Sequence, residues 1–193
     1  MINTLLKSLF ILVFTIVISC SSTKIHTSKN EDIVKSYINA KNNYDVEKVT
    51  TLVDENYTET FVDGSIEIEN KGQLAERILW GKEMDSRIEL LEIKTEDNGV
   101  ITIEEYTNYL DIALKRKSRK FKMVYTLGDG KIRHQKIDTL SGYHQVLEFN
   151  FKRYQEFEKY CTQNGLNYKL QSTNKGSGVE LRKVLEKYKS DHQ

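Results

Sequence analysis

Hydrophobic and polar positions alternate most cleanly in the middle of the chain. There Phe121, Met123, Tyr125 and Leu127 interleave with Lys120, Lys122, Val124 and Thr126. A period of two sends alternate side chains to opposite faces, so this segment predicts a β-strand with one apolar face. It sits within a longer run, Arg87 to Tyr143, whose β-formers come in blocks cut by Asn98-Gly99, a Lys/Arg tract and Gly128-Asp129-Gly130. Such punctuation predicts long antiparallel strands joined by tight turns. In the preceding block both rows are mixed, with Val100, Thr102, Glu104, Tyr106, Asn108 and Leu110 set against Ile101, Ile103, Glu105, Thr107, Tyr109 and Asp111. One of these rows is expected to line an interior with some polar character. In the last block Ile132, His134, Lys136, Asp138 and Leu140 oppose Arg133, Gln135, Ile137 and Thr139. Charges in both rows leave open which face turns inward.

The period is helical on either side of this run. Asn30-Glu31-Asp32 offers a cap with acids in the first turn, and Ile33, Val34, Tyr37, Ile38 and Lys41 then share a face. Asp45 caps a second short helix with Val46, Val49, Leu52 and Val53 as its stripe, and Asn70 begins a third carrying Leu74, Ile78, Leu79 and Trp80. Between the last two, Tyr57 to Asp63 reads as a short strand closed by Gly64. After Val146 comes an aromatic helix ending at Asn164-Gly165, whose stripe is Leu147, Phe151, Tyr154 and Cys161. Ser177-Gly178-Val179-Glu180 has the pattern of a capping box, and it precedes Leu181, Val184, Leu185 and Tyr188. The last two helices are expected to pack as a hairpin on the domain or a partner.

The segments YINAKNNYDVEKVTTLVDENYTETF, KGQLAERILW and GDGKIRHQKID, in this order and spacing, resemble the nuclear-transport-factor-2-like superfamily, in particular its SnoaL-like branch. The resemblance spans about residues 31–145. It implies an α+β fold: a cone-shaped, curved antiparallel sheet wrapped around N-terminal helices, with a pocket between them. The domain is expected over 30–145, and 146–193 would be a C-terminal helical extension able to cap the pocket mouth. By the same resemblance to the ketosteroid isomerase branch, Tyr37 matches the oxyanion-donating tyrosine. The base position falls on Phe61 and the later acid on Lys122 or Met123, so two of three parts are missing. Glu59 or Asp63 could serve as the base only with the register displaced by two. Isomerase chemistry is therefore not expected.

Composition narrows the setting. Lys+Arg total 29 against 28 Asp+Glu, which gives no global field to attract nucleic acid. The four histidines, His26, His134, His144 and His192, show no metal-ligand spacing, and neither a metal nor a cofactor is expected. The apolar run Ser8 to Ile18 after Lys7 is shorter than the roughly 20 residues of a membrane span and suits a secretory signal. Val17-Ile18-Ser19-Cys20, followed by polar Ser21-Ser22-Thr23-Lys24, resembles the lipobox of bacterial lipoproteins. That resemblance implies removal of residues 1–19, lipidation of Cys20 and a tether over 20–29, with the protein held in the cell envelope facing the periplasm or exterior. Two or three acyl chains make a stable anchor.

Candidate chemistry is sparse. His134 and Asp138 are too far apart along one strand face to act as a dyad. Tyr37, Asp63 and Asp138 are the candidate acid–base residues, and Tyr37, Phe61, Trp80, Tyr106, Tyr125, His134 and Asp138 the candidate pocket residues. Cys161 sits in an aromatic stripe, the setting of a core thiol. The tract Lys115-Arg116-Lys117-Ser118-Arg119-Lys120 reads as a solvated hairpin tip, or else as a contact for anionic headgroups. The expected function is a membrane-anchored lipoprotein whose cone binds a small apolar or amphipathic ligand without catalysis. The rivals are a lyase or isomerase, and a docking module that dimerises through the sheet face.

Overall fold

The computed structural model describes residues 29–96, 99–168 and 173–192, so the segment expected to be a leader, Cys20 and Asn98 lie outside the described residues. A helix over 29–42 (α1) leads into α2 (Val46–Leu52), β1 (Val53–Phe61), β2 (Ile66–Ile68) and α3 (Lys71–Glu83). Then come β3 (Arg87–Glu96), β4 (Gly99–Thr107), α4 (Tyr109–Ala113), β5 (Arg119–Gly128) and β6 (Lys131–Thr139), and the chain ends in α5 (Tyr143–Gln163) and α6 (Lys175–Asp191). The six strands form one curved sheet in the order β2-β1-β6-β5-β4-β3. All pairs are antiparallel except β1 with β6, which is parallel, so the sheet is mixed where a wholly antiparallel one was expected. The first strand meets the last side by side, and its pairing starts at Val53 instead of Tyr57.

One face of the sheet packs on α1, α2 and α3. Val34, Tyr37 and Ile38 of α1 are buried against Val49, Val53, Tyr57, Leu74 and Val100, as the helical and strand periods require. The ends of α1 are tied down by polar side chains. Glu31 accepts from Thr95 at 3.1 Å, and the Asn42 amide exchanges two hydrogen bonds of 2.8 Å with the backbone of Ile88, as a neighbouring strand would. The expected Asp45 and Asn70 caps are both present. Asp129 (φ 53°) and Gly130 (φ 74°) make the β5–β6 turn with both central residues left-handed, the conformation of a two-residue hairpin.

Three expectations are corrected. β4 stops at Thr107 because Asn108 and Asp111 form a capping box that starts α4, so Asn108 to Asp111 are not strand. The basic tract consequently follows a helix and is no hairpin tip, and two of its arginines turn inward. In the C-terminal part, α6 is capped three residues earlier than expected, by Asn174 with Ser177 at its third position.

The C-terminal helices build a second core. Phe157 and Cys161 of α5 and Leu181 and Leu185 of α6 bury against Met84, Leu110 and Leu114. Gly178 permits the closest approach: a Cβ there would stand 3.0 Å from Glu83 Cβ and 3.2 Å from Trp80 Cδ1. Arg182 then covers the ring of Tyr109 at 3.5 Å and binds Asp85 at 2.6 Å. Cys161 is 2% exposed and burial pushes its thiol up to about 11, so it serves as packing material.

Candidate functional site

The inward rows of the strands follow from their register. β1 turns Tyr57, Glu59 and Phe61 inward, β4 turns Val100, Thr102, Glu104 and Tyr106, and β5 turns Phe121, Met123 and Tyr125. In β6 the pairing slips between Leu127↔Ile132 and Thr126↔His134, and this bulge puts Ile132 on the same face as Gln135 and Ile137. The slip decides the row that the sequence left open. His134 and Asp138 go to the outer face, away from the helices. His134 lies there between the Thr58 and Thr60 hydroxyls at 2.9 and 3.2 Å, and Asp138 lies beside Lys122 in register. Both are thereby corrected as pocket candidates.

A cavity of about 330 Å³ opens between this inner face, the C-terminal end of α1 and the second half of α3. Aromatic rings form part of its wall. Tyr106, Phe121 and Tyr143 follow one another with centroid separations of 5.7 and 5.4 Å, while Phe61 and Trp80 face the same space. Tyr143 is the first residue of α5, so the start of that helix contributes to the wall.

The floor is polar. Glu59 is 6% exposed and lines the cavity. Tyr57 donates to its Oε1 at 2.7 Å; the Tyr37 hydroxyl is 3.3 Å from the same oxygen and 2.8 Å from the Tyr57 hydroxyl. Tyr57 has a single proton, and the short contact to Glu59 claims it, which leaves Tyr37 to donate to Tyr57. Gln135 Oε1 lies 3.2 Å from the Tyr57 hydroxyl, and Lys41 Nζ stands 4.0 Å from Glu59 Oε1 and 5.1 Å over the ring of Tyr37. The three contacts to Glu59 all fall on Oε1, and among the described residues none falls on Oε2. The Tyr37 and Tyr57 hydroxyls are pushed well above their ordinary range, first by burial and next by the charge of Glu59, so both remain protonated donors.

A second buried carboxylate, Glu104, is 0% exposed and does not line the cavity. Tyr125 donates to its Oε1 and Tyr106 to its Oε2, each at 2.6 Å, and Thr102 adds a third hydroxyl at 2.5 Å. Glu104 is thus closed off by its donors, whereas the partners of Glu59 among the described residues all engage one of its oxygens. Tyr37 and Tyr125 pack ring to ring at 6.0 Å and link the two carboxylates beneath the floor.

Cations stand around the cavity. Arg77 pairs with Glu67, Lys41 faces Glu59, and Arg119 Nη2 binds Asp111 Oδ2 at 2.8 Å. Asp111 is 4% exposed; its Oδ1 is also 3.3 Å from Arg116 Nε, and its Oδ2 accepts from the Asn108 N–H at 3.0 Å. Burial lowers the guanidinium pKa of Arg116, Asp111 partly offsetting it.

The residues singled out in the sequence thus separate. Phe61, Trp80 and Tyr106 line the cavity, and Tyr37 and Tyr125 lie buried behind it. Asp63 is exposed in the β1–β2 turn, where its side chain accepts from Ser65 N and Oγ at 2.9 and 2.6 Å, far from this chemistry. Sequence reasoning passed over Lys41, Gln135 and Arg119 as site residues. Glu59 carried a signal, since it shares a strand face with Tyr57 and Phe61. Among the described residues no cluster of His, Cys, Asp and Glu could hold a metal ion.

No protein-family model matches the chain, and no curated protein does. Solved structures similar to it include an NTF2-like protein of unknown function from Cytophaga hutchinsonii, at 18% identity and TM-score 0.45, covering 56% of this chain and 87% of that one. Another NTF2-like protein of unknown function, from Burkholderia xenovorans, gives 14% identity and TM-score 0.45 over 58% of this chain and 85% of that one. Bal32a, from a soil-derived mobile gene cassette, gives 18% identity and TM-score 0.49 over 64% and 97%. Identities this low bring no residue roles with them. Two of these structural neighbours are described as NTF2-like proteins, and the fold of this chain is α+β with a curved mixed sheet.

Proposed function

We propose that this chain is a lipid-anchored binding protein of the cell envelope, whose cavity takes one small amphipathic molecule. The observation that carries the binding role is Glu59, which lines a cavity flanked by aromatic rings and whose Oε2 has no partner among the described residues. A ligand with an apolar body and a hydrogen-bond donor fits both features, since a few placed polar groups in an apolar pocket fix orientation. A cavity of about 330 Å³ also weighs against a pure docking module with a filled interior. The anchor rests on the residues around Cys20, and Cys20→Ala is expected to shift the protein from the membrane fraction to the soluble one.

The pocket is tested by thermal unfolding with octan-1-ol. A ligand at one hundred times its Kd stabilises by about 2.7 kcal/mol, which raises the midpoint by several degrees. Ile88→Trp, which places an indole in the cavity, should abolish that rise. An unchanged midpoint in the unsubstituted chain, or an equal rise in both, would contradict the pocket.

A second reading is acid–base catalysis with Glu59 moving a proton. The placement of the Tyr37 hydroxyl 3.3 Å from Glu59 favours it over the alternatives built on Asp63 or Asp138. Its test is turnover of the retained molecule, lost in Glu59→Gln with binding preserved.

A further inference from the structure

Beside the cavity two arginines share a single carboxylate. Arg116 and Arg119 share one buried partner, Asp111, whose Oδ2 is further occupied by the Asn108 N–H that starts α4. Glu67 is committed to Arg77, and Glu59 faces Lys41. Asp111 thus answers two guanidiniums, where side chains are only 12% (Arg116) and 25% (Arg119) exposed. Removing a guanidinium from water without a counter-ion is costly. Arg119 lines the cavity, and Asp111 engages its Nη2; its Nη1 makes no hydrogen bond among the described residues. A planar fork with one side free suits a carboxylate.

We propose that the ligand is an amphipathic carboxylic acid, bound with its anionic group on Arg119, its apolar body along Phe121, Ile88 and Phe61, and the hydrogen-bond donor that Glu59 accepts at its far end. This rests on the reading of the cavity as a ligand site and adds the ligand's charge and direction. The acid gives the two guanidiniums a second carboxylate, and the aromatic rings take the chain. Tyr143, packed on Phe121 at 5.4 Å, stands beside the anionic end.

Trp80 is the only tryptophan of the chain and lines the cavity, so its emission reports occupancy without a label. The test titrates octanoate, octan-1-ol and octylamine, which match in length and differ in charge. Octanoate is expected to bind about tenfold more tightly than octanol, which equals about 1.4 kcal/mol, and octylamine most weakly. Salt should weaken octanoate binding and leave octanol unchanged. Arg119→Gln should remove the preference for octanoate, and Arg119→Lys should keep part of it. If octanol or octylamine binds as tightly as octanoate, the carboxylate assignment is wrong while the pocket stands. If none of the three changes Trp80 emission, the pocket reading fails as well. Should Arg119→Gln not fold, the salt dependence in the unsubstituted chain decides: equal slopes for octanoate and octanol overturn the proposal.

Discussion

Asp111 joins the basic tract, the start of α4 and the cavity wall, and Asp111→Asn tests all three. The carboxylate is 4% exposed and lies between two guanidiniums, 2.8 Å from Arg119 Nη2 and 3.3 Å from Arg116 Nε. Asparagine keeps the shape, and its amide oxygen still accepts from the Asn108 N–H, but the charge is gone. Breaking a buried pair costs about 3–5 kcal/mol, and the partial exposure of both arginines places this case below that range, at about 2–3 kcal/mol. Asp111→Ala also loses the cap, which adds about 1 kcal/mol. Urea unfolding followed by Trp80 fluorescence measures both as a lower midpoint at constant slope. The same substitution frees more positive charge beside the cavity, so Asp111→Asn should bind octanoate more tightly while being less stable. A loss under about 0.5 kcal/mol would mean that water already solvates the two arginines, and the charge argument would fall.

Two further perturbations probe the rest of the structure. Gly178→Val forces atoms toward Glu83 Cβ and Trp80 Cδ1, where a Cβ alone would stand at 3.0 and 3.2 Å; a loss of about 1–3 kcal/mol and a shift of Trp80 emission are expected. Unchanged stability and emission would show that α6 is not seated on α3. Tyr37, Tyr57, Tyr106 and Tyr125 all ionise well above the ordinary 10.0, through burial first and through Glu59 or Glu104 next. The folded chain keeps these protons where the unfolded chain loses them. Stability from this source is therefore intact below about pH 10 and falls as the pH rises further, by up to about 1.4 kcal/mol per unit for each group. Absorbance at 295 nm should show the four staying neutral until the chain unfolds; all eleven tyrosines titrating together near pH 10 in the folded protein would contradict the buried network.

Much of this architecture was legible because local chemistry and tertiary packing agree. Asp45, Asn70 and the Asp129-Gly130 turn are local signals that act as read. The Phe121, Met123, Tyr125, Leu127 row packs on the core because one face of that strand is uniformly apolar. The misreadings arise where a neighbour overrides the local pattern. Tyr109 to Asp111 alternate like a strand, but the reciprocal Asn108–Asp111 cap is formed and the chain turns. His134 and Asp138 were assigned with Ile132 because a strict period of two was assumed, and a one-residue bulge against β5 reverses their face. The shared use of Asp111 by Arg116 and Arg119 could not be read in advance. It depends on α4 folding the tract back, and no periodicity encodes that. Glu104 was visible in its row with Val100 and Tyr106, but the hydroxyls that satisfy it, Tyr125 among them, come together only through strand pairing.

The central claim is that the cavity lined by Glu59 holds a small molecule, and native mass spectrometry of the full chain purified gently from its own cells tests it most directly. The expected result is a fraction of the protein carrying one additional small mass per chain, identified on release as an amphipathic acid and absent from Ile88→Trp prepared in the same way. A spectrum of bare chain alone under all gentle conditions, or an adduct retained equally by the cavity-filled variant, would contradict the account.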